Sequence, residues 1–140
     1  MKKNQSAFTM IELVFVIVIL GILAAVAVPR FAVTRADAQV VKGRADVASI
    51  RAAIINERQG RLFRGDPQFI RENIMNTGGL FGGVLPYPIT AGIGNGKWAS
   101  GATAGQDFTY TILQTAVAFT YDEDDGSFTC AGTYCSKLAN

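Results

Sequence analysis

The chain has 140 residues, 49% of them hydrophobic, and a formal net charge of +2 that Lys2 and Lys3 account for in full. The other side-chain charges balance, which gives no electrostatic basis for a nucleic-acid partner. Histidine is absent, removing most general-base, triad and zinc chemistries; with no phosphate loop either ("TGGLFGG" lacks its lysine), the chain reads as a non-enzyme with no cofactor.

The first segment, residues 1–7, is the polar leader "MKKNQSA". It precedes an apolar run from Phe8 to Val28 that closes at Pro29. As a helix, 21 residues at about 1.5 Å each span roughly 31 Å, the thickness of a hydrocarbon core. The segment 8–29 is therefore expected to be a transmembrane helix. A secretory signal would carry its small-residue cleavage site after the apolar core. Here the small residue, Ala7, comes before it, so cutting there would remove the leader and keep the helix. Lys2 and Lys3 would hold the N-terminus in the cytoplasm and send the rest across.

Glu12 is the one ionisable side chain between Phe8 and Pro29. A charge near mid-bilayer costs at least about 2.5–3.5 kcal/mol, so such residues are usually functional. Glu12 could be neutralised by another chain. It could equally lie near the membrane surface, favoured by its own helix N-terminus. Pro29 lacks a backbone donor and would loosen the preceding turn. Gly21, Ala24 and Ala25 offer a small surface for close helix approach, or simply ordinary transmembrane composition.

The leader, "FTMIE" and the helix closing at "VAVPRF" resemble the N-terminus of type IV prepilins and type II secretion pseudopilins. The resemblance implies a prepilin peptidase that cuts between Ala7 and Phe8 and N-methylates Phe8; the family usually has Gly where Ala7 sits. It implies that Glu12 meets the N-terminal amine of an adjacent subunit during assembly, and that Pro29 loosens the helix in the filament. The expected partners are further copies in a helical filament, other pilin-like subunits, membrane lipid, and an inner-membrane assembly platform with its cytoplasmic ATPase. The subunit would wait in the inner membrane with a periplasmic head before joining a periplasmic or surface filament. A type II secretion pseudopilin is the first expectation, a type IV or DNA-uptake pilin the alternative. A monomeric membrane-anchored periplasmic binding module is a further rival.

Beyond Pro29, Val33, Ala36, Val40, Gly43, Val47, Ile50 and Ile54 recur at helical spacing. This predicts an amphipathic half, 30–60, ending near Arg58 with Gly60 as its stop. The stripe suits a sheet better than a coiled-coil seam. Residues 30–71 hold nine Lys/Arg and four acids, whereas 107–125 hold five acids and no base. These are either solvated faces or complementary surfaces of neighbouring copies.

The segment 61–106 is expected to hold a short helix at "GDPQFIRENIM", capped by Asp66 with Pro67 in its first turn. A Gly-rich connection follows, with a short strand near Val84–Tyr87. In 107–140, "DFTYTIL" and "AVAFTYD" alternate and "GSFTC" follows a tight acidic turn, which predicts antiparallel strands. The fold class is thus α+β, a long N-terminal helix on a small C-terminal sheet. The acidic turn Asp122–Asp125 lacks calcium-loop spacing and reads as a solvated hairpin, so no metal site is expected. Cys130 and Cys135, the only cysteines, would form a disulfide in an oxidising compartment, in preference to a redox or metal pair. The loop resembles a shortened form of the C-terminal disulfide loop of type IV pilins.

Overall fold

A computed structural model describes residues 8–139, without the side chains of 28–33 and 74. The chain divides into two units, Met1–Arg35 and Ala36–Asn140. A single helix, α1 (Met10–Phe63), contributes to both. From Met10 to Ala27 its residues are apolar on every side except at Glu12, and the helix pairs its backbone groups internally, without water, up to the turn that Pro29 enters. It continues through Pro29, whose missing N–H leaves the Ala25 carbonyl without its usual donor.

In the second unit the predicted stripe is the buried one. Gly43, Val47, Ile50 and Ile54 are buried, and Val40 packs against them. The helix end differs from expectation. Gly60 lies inside the helix, and the stop is Gly65, in the left-handed region at φ 84°. The Gly65 amide donates to the Leu62 carbonyl at 3.0 Å and the Asp66 amide to the Arg61 carbonyl at 3.0 Å. That pair of bonds is a Schellman motif, which needs glycine at its left-handed position.

Asp66 is consequently spent in this turn. Its carboxylate accepts the Gln68 amide at 3.1 Å and pairs with Arg61 at 3.1 Å. The short helix therefore does not start at Pro67; α2 occupies only Glu72–Met75. Val84–Tyr87 forms no strand either. The Val84 and Leu85 amides both turn back to the Phe81 carbonyl, inside a bridge between Leu80 and Ile89.

The sheet holds β1 (Trp98–Ser100), β2 (Asp107–Ile112), β3 (Thr115–Tyr121) and β4 (Phe128–Ala131), antiparallel in the order β1-β2-β3-β4. The expected alternation appears as burial: Phe108, Tyr110 and Ile112 on β2 and Val117, Phe119 and Tyr121 on β3 point to one face. Register places Phe108 opposite Phe119, Tyr110 opposite Val117 and Trp98 opposite Tyr110. This face and the α1 stripe form one core, joined by Phe69, Ile70, Met75, Leu80 and Phe81 from the connection. Phe81 stacks on Phe108 at 4.2 Å between ring centroids and meets Trp98 and Phe128 edge-on. A last turn, α3 (Cys135–Leu138), adds Leu138 to the core.

Candidate assembly site

Thr9 begins the first unit's helix. Its Oγ1 accepts the Glu12 amide at 3.3 Å, and its carbonyl accepts the Leu13 amide at 3.2 Å. Thr9 is thus the N-cap and Glu12 the third helical residue, where a carboxylate is favoured by the positive end of the helix dipole. The Thr-x-x-Glu spacing in "FTMIE" is the signature of a capping box, a signal that the reading of the sequence passed over. Among the described residues no cation pairs with the Glu12 carboxylate. Phe8, three-quarters exposed, lies just ahead of the cap. In the uncut chain its nitrogen is a peptide nitrogen and carries no charge. Ala7 lies outside the described residues.

The window Met10–Ala27 has a mean hydropathy of 2.9, and none of it is buried within the protein. It is long and apolar enough to cross a bilayer. An uncovered apolar surface of this extent is covered in use by lipid or by other protein.

A family profile for the prokaryotic N-terminal methylation motif matches residues 2–28, a span that contains Ala7, Phe8 and Glu12 and stops before Pro29. A type IV major fimbrial protein FimA of Dichelobacter nodosus is 28% identical over 99% of this chain and 95% of its own length. A second FimA of that species is 30% identical over 87% of this chain and 84% of its own length. The chain belongs to the type IV pilin-like family. The type II secretion system core protein G of Pseudomonas aeruginosa is 43% identical over 53 residues, 38% of this pilin-like chain and 37% of that protein. No solved structure matches.

The head of this pilin-like chain carries the expected disulfide, Cys130 to Cys135, with 5.7 Å between their Cα atoms. Three carboxylates of the acidic turn accept backbone amides. Asp122 accepts the Asp124 amide at 2.9 Å, Asp125 the Ser127 amide at 2.7 Å, and Glu123 the Glu72 amide at 3.0 Å. Hydrogen bonds from Ser127 hold the Asp125 carboxyl below its ordinary range. Glu72 is pushed the other way, first by partial loss of solvent and then by the negative field of Glu123, Asp122, Asp107 and Asp124. Among the described residues no three candidate ligands converge on a metal position.

Two of the basic residues are engaged by backbone carbonyls of the head itself. Arg51 donates through Nε and Nη2 to the Phe128 carbonyl and through Nη1 to the Ala139 carbonyl, all within 3.1 Å. Arg44 donates twice to the Lys137 carbonyl, at 3.0 and 2.8 Å. Arg58 lies over the Phe69 ring at 4.0 Å.

Proposed function

We propose that this pilin-like chain is a subunit of a type IV pilus, stored in the inner membrane and polymerised through the apolar half of α1. The carrying observation is the wholly uncovered window Met10–Ala27 with one carboxylate in its first turn. Lys2 and Lys3 keep the leader in the cytoplasm, the peptidase cuts between Ala7 and Phe8, and the new Phe8 amine is methylated. That amine is cationic, and in an apolar surrounding a cation from one subunit lowers the cost of Glu12 in the next. Pro29, by freeing the Ala25 carbonyl, lets α1 loosen in the filament. The likeness to FimA extends through the head, which favours a pilus. The likeness to core protein G is higher but confined to a 53-residue stretch, which supports a secretion pseudopilin as the second reading.

Glu12→Ala is expected to stay in the membrane fraction and to vanish from sheared fibres. A normal fibre yield from that variant would remove the proposed pairing. Mass analysis of the mature N-terminus should return methylated Phe8; an intact Met1 terminus would favour a monomeric anchor instead. Loss of surface fibres on deletion supports the pilus, and retained exoproteins with normal fibres support the secretion reading.

A further inference from the structure

Burial of one face of α1 in the head leaves a second apolar stripe outside. Val41, Ala45, Ala48, Ala52, Ile55, Gln59 and Leu62 recur at spacings of 4, 3, 4, 3, 4 and 3, and all are exposed. Val41 is 67%, Ile55 48% and Leu62 49% exposed, and Phe63 next to them is 91% exposed. The solvent face of a helix ordinarily carries its charges. Here not one exposed residue from 45 to 63 is charged. The charged residues of that stretch are partly buried and engaged within the head. Asp46 accepts from Lys42 and from the Trp98 indole, Glu57 pairs with Arg61, Arg51 holds the Phe128 carbonyl and Arg58 lies over Phe69.

An apolar repeat of period 3.5 sustained over three heptads is the pattern by which one helix packs along another, so this face suits a helix. In heptad terms Val41, Ala48, Ile55 and Leu62 are d positions, and Ala45, Ala52 and Gln59 are a positions. The flanking residues choose the partner and its direction. In a parallel pair in register, each g residue faces the e residue five places further along the other helix. For two copies of this chain that sets Asp37 against Lys42, Arg44 against Ser49, Arg51 against Asn56 and Arg58 against Phe63. No like charges are opposed, and the exposed Phe63 ring comes beside a guanidinium. Gln59 meets Gln59, and each amide can both donate and accept. An antiparallel pair sets g against g instead, which brings Arg51 to Arg51 and Arg44 to Arg58. Pilin-like subunits assemble with one another, so a second copy is a helix that this chain regularly meets.

We infer that two copies pair through this face of α1, parallel and in register, from Val41 to Leu62. The small side chains of Ala45, Ala48 and Ala52 let the helices approach closely in the middle, and Val41, Ile55 and Leu62 close the ends. Such a pair is two-fold: it uses the same patch on both subunits and cannot grow into a fibre. It is a contact separate from the polymerisation through the apolar half of α1 proposed above, and it gives the subunit a paired resting form. It needs neither Glu12 nor any fixed relation between the two units.

Cysteine cross-linking tests the pairing, because Cys130 and Cys135 are bonded to each other and an introduced cysteine is the one free thiol. The full-length Glu12→Ala protein in detergent micelles is the background, so that no link arises within a fibre. Under mild oxidation Val41→Cys, Ala48→Cys and Leu62→Cys should each convert mostly to disulfide-linked dimer, and Ala102→Cys, exposed but off the helix, should stay mostly monomeric. Adding Ala52→Glu to the Ala48→Cys protein opposes two like charges in the seam and should abolish most of the dimer, with the denaturation midpoint unchanged. Dimer no more abundant at the three seam positions than at 102 overturns the pairing. So does linking that appears only when Val41→Cys and Gln59→Cys proteins are mixed, the mark of an antiparallel pair. The filament reading is judged apart, by fibres sheared from cells that make the unmutated chain. Seam dimers without such fibres keep the pairing and remove the pilus, and fibres without seam dimers do the reverse.

Discussion

At Gly43 the backbone of α1 runs against the Tyr110 ring with no room for a side chain. A methyl there would overlap the ring edge and lie 2.8 Å from Leu138 Cδ2. Glycine inside a helix ordinarily costs about 0.5–1 kcal/mol relative to alanine, so its use here exchanges helix propensity for close approach of helix and sheet. The approach also lets the Tyr110 hydroxyl reach the Gln39 carbonyl. Burial, and after it the charge of Asp46, push that phenol up to about 12, so it remains a donor throughout the neutral range. Gly43→Ala should therefore lower head stability by about 1–3 kcal/mol, the usual penalty of overpacking, instead of raising it. The check is the denaturant midpoint of the full-length protein in detergent, with an unchanged slope.

The elements of this fold were legible to the extent that their signals were local. Phe108, Tyr110, Ile112, Val117, Phe119 and Tyr121 announce their strands because a half-buried strand must alternate, and the stripe from Gly43 to Ile54 announces its helix for the matching reason. Strand β1, at Trp98–Ser100, is three residues long, too short for alternation to register in a Gly-rich stretch. Glu12 stood out because a carboxylate in an apolar run is costly whatever the fold. The roles of Arg44 and Arg51 could not be read, since each partner is a backbone carbonyl, which every residue possesses. The helix end was misplaced because two glycines compete for it, and only the left-handed φ of Gly65 decides. The two positions should respond oppositely to alanine. Gly60→Ala adds a methyl with no heavy atom within 4 Å inside a helix and should stabilise the head by up to about 1 kcal/mol. Gly65→Ala meets equally open space but must hold φ at 84°, and should destabilise by about 1–2 kcal/mol. Thermal unfolding of the two variants side by side tests the assignment, and a loss from Gly60→Ala would contradict it.

Across the whole chain, the head is closed by its own C-terminal segment returning to the helix that begins it. Arg51 covers the outward carbonyl of Phe128 on edge strand β4, Arg44 and Arg51 hold the Lys137 and Ala139 carbonyls, and Leu138 fills the core beside Gly43. An open sheet edge invites pairing with another chain, a hazard for a subunit concentrated among its own copies, and the guanidinium of Arg51 removes one of its acceptors. The disulfide lies within this closure, between β4 and α3. By loop entropy alone so small a ring contributes about 2 kcal/mol. Its larger effect follows from where it sits, because it limits how far Lys137 and Ala139 can move from the arginines. The two devices act on the same segment, so their energies should not add. Arg51→Ala removes charged hydrogen bonds worth about 1.5–3 kcal/mol, and Arg51→Lys should recover little of it, lacking the planar fork that reaches both carbonyls. In a double-mutant cycle pairing Arg51→Ala with Cys130→Ser/Cys135→Ser, the combined loss should differ from the sum of the separate losses by at least about 0.5 kcal/mol. Denaturation midpoints of the four proteins give the coupling directly. Strict additivity would mean that the disulfide and the arginine clamp hold the C-terminal segment independently.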